Sequence, residues 1–89
     1  MTPEIQKLFR VSILRQLIQA GRLGASVNEL MLGARSEGFG ASSRDDVREE
    51  IEYLTEKGHC SKLSDEISPE VESFKATAAG RDYMAAKSR

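Results

Sequence analysis

Few side chains in this 89-residue sequence are of types that could do chemistry, and they fall into three groups. His59 and Cys60 stand side by side, a pair able in principle to give a nucleophile with its base, or two metal ligands. Ser42, Ser43, Arg44 and Arg48, with Thr55 further on, are residue types that hold phosphate. Asp45, Glu49, Glu52 and Glu56 run through the same segment, and carboxylates gathered there attract basic partners and repel nucleic acid.

The first group falls away on spacing. A zinc site needs about four ligands, and the chain has no second histidine or cysteine. Adjacent residues of a strand also point to opposite faces, so His59 and Cys60 cannot act together on one substrate. They read as the start of a strand. The glycines between Gly33 and Gly40 lack a following Lys-Ser/Thr and form a loop, not a phosphate cradle. No catalytic constellation emerges, so an enzyme is not expected, nor a metal or cofactor.

The elements that must position the other two groups are well punctuated. Thr2 can cap a helix with Pro3 in its first position, where a missing N–H costs nothing. Apolar residues at Ile5, Leu8, Phe9, Ile13, Leu14, Leu17 and Ile18 give that helix (α1, residues 3–20) one buried stripe, and Gly21 stops it. After a link at residues 22–25, Ser26 and Glu29 form a capping box for α2, which buries Val27, Leu30, Met31 and Ala34 and ends at Gly38. Phe39 is expected against the core. Ser42 or Ser43 caps α3, with Asp45 and Asp46 in its first turn and Val47, Ile51 and Leu54 inward, up to Gly58. The period then changes to strands at residues 59–63 and 71–76 around a turn containing Pro69. Thr77 caps α4, which runs through Tyr83, Met84 and Ala85, with Gly80 a weak point for helicity.

At about 100° per residue, an inward Val47, Ile51 and Leu54 put Asp45, Glu49, Glu52 and Glu56 outward. Arg44, Arg48 and Thr55 then lie along one flank, and Arg48 can pair with Glu52 one turn on. The charge map agrees: residues 1–36 carry +3, residues 37–72 carry −7 and residues 73–89 carry +3. The acidic block includes α3 and the tip acids Asp65, Glu66 and Glu70. With a net charge of −1, no whole-protein pull toward nucleic acid is expected. One cysteine excludes an internal disulfide, and no apolar run approaches the roughly 20 residues of a membrane span. A single reducing, cytoplasmic domain covering residues 1–89 is expected, with no membrane partner. The basic side of α1 (Lys7, Arg10, Arg15, with Gln16) could touch a membrane surface, but its opposite stripe reads more simply as core or dimer interface.

Residues 44–58, ending in the Leu54-x-x-x-Gly58 step, and residues 74–84, with Thr77-Ala78-Ala79-Gly80, resemble the winged helix-turn-helix families of bacterial regulators, the MarR-, PadR- and ArsR-like ones. Size and layout are also similar to small winged-helix proteins of Mu-like prophages. The resemblance implies a mainly helical α+β winged helix of order α1-α2-α3-β-β-α4, a recognition role for α3, and DNA binding in transcription regulation. It also implies pairing through terminal helices, which makes Ile5, Phe9, Tyr83 and Met84 candidate homodimer contacts. Two features depart from the pattern. His59 and Cys60 stand where an aliphatic residue is usual, and the link from Gly38 to Ser43 is long for a helix-turn-helix.

Two functions are therefore expected in competition. In one, Ser42, Ser43, Arg44, Arg48 and Thr55 meet the DNA backbone. In the other, Asp45, Glu49, Glu52 and Glu56 face a basic protein partner, and DNA is disfavoured by the acidic helix.

Overall fold

A computed structural model describes residues 2–63 and 72–87. It is mainly helical, with four α-helices and a small three-stranded antiparallel sheet. α1 spans Pro3–Ala20, α2 Val27–Ser36, α3 Arg44–Glu56 and α4 Ala78–Lys87. β1 is Ala25–Ser26, β2 Cys60–Leu63 and β3 Ser73–Ala76.

The caps act as the residue types dictate. Thr2 Oγ1 accepts the Ile5 N–H at 3.2 Å, and Pro3 opens the helix. Ser26 accepts the Glu29 N–H while the Glu29 carboxylate accepts the Ser26 N–H, closing the capping box. Each such cap contributes about 1 kcal/mol by satisfying N–H groups that the helix leaves unpaired.

The buried stripe of α1 begins later than its sequence pattern. Phe9, Ile13, Leu14 and Leu17 are buried, whereas Ile5 and Leu8 are 43% and 58% exposed. Helix phase explains the difference. The first turn presents Gln6, not Ile5, toward α3, where its amide donates to Glu50, and Leu8 lies about 200° round the helix from Gln6. The rest of the core comes from Val27, Leu30 and Ala34 of α2, Val47, Ile51 and Leu54 of α3, and Phe74 and Ala76 of β3. Phe39 packs edge-on to Phe9, centroids 5.4 Å apart. The Arg35 guanidinium donates twice to the Ser42 carbonyl, at 3.1 and 2.9 Å, fixing the long link ahead of α3.

The sheet has one strand more than the two-stranded hairpin expected, in the order β1-β3-β2. Ala25 pairs with Phe74, and Cys60 with Ala76. β1 is two residues long, too short to show an alternating pattern, and residues 22–25 had read as a link. What admits it is Gly24, at φ +69°, where a Cβ would stand 2.6 Å from the Phe74 carbonyl oxygen. Residues 64–71, with the expected turn at Pro69, the tip acids Asp65, Glu66 and Glu70 and the start of the second expected strand, lie outside the described residues.

Gly80 is a requirement of packing. A Cβ there would collide with the His59 carbonyl, so the glycine lets α4 lie directly on backbone. Thr77 joins the same corner. Its hydroxyl donates to the Gly58 carbonyl at 2.6 Å and accepts the Gly80 N–H at 3.1 Å, while its own N–H reaches the His59 carbonyl at 3.0 Å. Among the described residues no helix is long and apolar enough to cross a membrane.

Candidate interaction face on the third helix

α3 is held by three buried apolar side chains, Val47, Ile51 and Leu54, and by one buried acid, Glu50, 3% exposed. Arg10 Nε lies 2.7 Å from Glu50 Oε2, and the Arg10 guanidinium also covers the Tyr53 ring at 3.8 Å. This cluster ties α3 to α1 on the same inward side as Val47, Ile51 and Leu54. Together they hold the rotation that turns its other residues outward. Sequence reasoning missed Glu50, although its position completes the 47-50-51-54 series of an inward helical face.

With that rotation fixed, Asp45, Glu49, Glu52 and Glu56 are all exposed. None is in an ion pair among the described residues. The outward surface of the helix is a run of unneutralised carboxylates.

The residues expected to meet phosphate fare differently. Ser42 is 2% exposed, and its hydroxyl donates to the Phe39 carbonyl at 2.7 Å. A group buried and bonded in this way cannot reach a backbone phosphate, so Ser42 leaves the set. Ser43 caps α3: its hydroxyl accepts the Asp46 N–H at 3.1 Å, and the Asp46 carboxylate accepts the Ser43 N–H at 2.9 Å. A helix N-terminus attracts anions through its free N–H groups, but here Asp46 supplies the negative charge from within the helix. Thr55 turns its hydroxyl back onto the Ile51 carbonyl at 2.7 Å, 3.3 Å from Cys60 Sγ.

Arg44 and Arg48 remain exposed. Arg48 pairs with Glu72 at 3.4 Å, not with Glu52, and Lys62 shares the same carboxylate at 3.5 Å. An exposed pair of this kind contributes at most about 1 kcal/mol. It nevertheless draws Arg48 toward the sheet.

His59 and Cys60 diverge. The imidazole stacks on Tyr83, centroids 4.7 Å apart, while Cys60 is buried on the Thr55 side with its thiol pushed up by burial. A thiol so placed is a poor nucleophile. Among the described residues, no group of three or more His, Cys, Asp or Glu could hold a metal ion.

Of the candidate homodimer contacts, Ile5 and Tyr83 are exposed at 43% and 44%. Met84 is half-buried, packed against the core. Phe9 is 1% exposed and committed to the chain's own core, so it has no surface to offer a second copy.

A scan against protein-family models finds no match to this chain, and a search of curated proteins finds no relative.

Proposed function

We propose that this chain is a winged-helix protein-interaction module whose acidic third helix faces a basic partner. The winged-helix reading rests on the order helix, short strand, two helices, antiparallel strand pair and closing helix. The single observation that carries the function is the outward face of α3, with Asp45, Glu49, Glu52 and Glu56 exposed and unpaired among the described residues.

In a major groove that face would meet phosphates on both walls, and the repulsion would oppose insertion. Against a protein rich in lysine or arginine the same charges steer association and set orientation. Asp46 reinforces the argument, because it fills the anion site at the helix N-terminus. No cofactor or catalytic step enters this role, and a reducing, cytoplasmic setting suits the single thiol.

The competing reading, a DNA-binding regulator, keeps support from Arg44, which is exposed and without an ion-pair partner among the described residues. Arg48 would be its second phosphate contact.

The test is a titration of the chain with a fluorescein-labelled lysine-rich peptide, beside the variant E49K/E52K/E56K. Binding by the parent and its loss in the variant are expected. Equal binding by both would remove α3 as the docking face.

A further inference from the structure

Beside the acidic stripe of α3, around Tyr53 and Lys57, a second surface has the opposite character. A groove of about 580 Å³ lies between α1, the C-terminal end of α3 and α4. Val11 and Met84, with the buried Leu14 and Leu54, form its apolar floor, and Tyr53 and Tyr83 flank it, 37% and 44% exposed. Its rim holds Lys7, Lys57 and Lys87 together with Arg10, and no carboxylate lines it.

Arg10 is neutralised by Glu50. The three lysines have no ion-pair partner among the described residues. Lys57 Nζ instead lies 5.7 Å from the Tyr53 ring, and Lys87 Nζ 5.5 Å from the Tyr83 ring. Three uncompensated ammonium groups thus stand around an apolar hollow, in a chain whose net charge is −1.

We propose that this groove docks an acidic peptide segment of a partner protein, with one large apolar side chain set on its apolar floor. Charge complementarity selects the acid, because three ammonium groups without an ion-pair partner among the described residues favour glutamate or aspartate. The apolar floor selects the anchor, since a binding pocket draws affinity from a buried apolar group with a few placed charges around it. A single-stranded nucleic acid suits the groove less well. Bases bind such sites by stacking on open aromatic faces, and here Arg10 covers the Tyr53 ring while His59 stacks on Tyr83. The inference does not rest on the α3 reading, because the groove is lined by other residues, which carry the opposite charge.

The experiment is fluorescence anisotropy of a short fluorescein-labelled peptide of glutamates around a central phenylalanine, titrated with the full chain. Its comparators are the same peptide with glutamine for glutamate, the same peptide with alanine for phenylalanine, and a labelled oligothymidylate. The proposal expects saturable binding of the first peptide and at least about tenfold weaker binding of both altered peptides, a difference of about 1.4 kcal/mol. It also expects loss of binding in K7E/K57E/K87E and undiminished binding in E49K/E52K/E56K. The milder K7Q/K57Q/K87Q serves if the reversed variant does not fold, and should weaken binding in the same direction. Equal binding of the glutamine peptide, tighter binding of the oligothymidylate, or undiminished binding by both lysine variants would overturn the proposal. So would a dimer in sedimentation that K57E dissociates, since the occupant would then be a second copy.

Discussion

Arg10 and Glu50 are forty positions apart in the sequence and 2.7 Å apart in space, and their pairing ties α1 to the inward side of α3. Glu50 is 3% exposed, and its carboxylate accepts hydrogen bonds from the guanidinium and from the Gln6 amide at 3.4 Å. Removing one partner of a buried pair costs about 3–5 kcal/mol, because the other is left charged and dry. The Arg10 side chain is 27% exposed, which lowers the expectation here to about 2 kcal/mol. Urea unfolding of R10M, E50M and R10M/E50M checks it. The double variant should lose less stability than the two single losses added together.

Gly80 gives a test in which packing and propensity pull in opposite directions. Alanine in a helix interior ordinarily gains about 1 kcal/mol over glycine. At Gly80 the added methyl meets the His59 carbonyl, and overpacking of this kind costs about 1–3 kcal/mol. G80A should therefore unfold at lower urea than the parent, while A79G, one residue earlier and exposed, should lose only about 1 kcal/mol through propensity.

Acid should act on the joint between α1 and α2. Ser12 donates a hydrogen bond to Glu37, and Arg15 adds a second bond and its charge. Together they hold the Glu37 carboxyl below its ordinary value, against the opposing effect of burial. A carboxyl lowered in the folded state contributes stability that is full above its unfolded pKa, about 4.3. That contribution is lost as pH falls through the lower folded value. Unfolding of the parent and S12A from neutral to acid pH should show a smaller acid-linked loss in S12A, which begins from lower stability at neutral pH.

Much of this arrangement was legible in the sequence, and the boundary of legibility has physical causes. The caps at Thr2, Ser26 and Ser43 use side chains within three residues of the N–H groups they satisfy, so local spacing reveals them. The outward carboxylates of α3 follow from helical phase alone. β1 was missed because a two-residue strand has no period, and it exists only through pairing with Phe74 far along the chain. Glu50 could stand out only as an acid on the inward 47-50-51-54 series, and nothing local named Arg10, forty positions away, as its partner. Ser42 was misplaced among the surface residues because two adjacent serines offer equivalent caps, and only the Phe39 carbonyl decides which one turns inward. Ile5 and Leu8 were counted into the apolar stripe of α1 by residue type, yet helix phase turns Gln6 and not these two toward α3 in the first turn.

The charge on α3 should be sufficient to govern its choice of partner. If Glu49, Glu52 and Glu56 keep nucleic acid away, E49K/E52K/E56K should gain salt-sensitive affinity for duplex DNA that the parent lacks. Filter binding or anisotropy at low salt reads the gain directly, and circular dichroism confirms that the helix is intact. No gain would mean that something other than these carboxylates excludes DNA.

The most direct test of the central claim is a titration of labelled mixed-sequence duplex DNA with the unaltered chain, at low and moderate salt, beside the labelled lysine-rich peptide. The acidic-face account predicts binding to the peptide that weakens as salt rises, and no binding to the duplex even at low salt. Micromolar affinity for the duplex, falling steeply with salt and lost in R44E/R48E, would contradict it and establish the DNA-binding reading in its place.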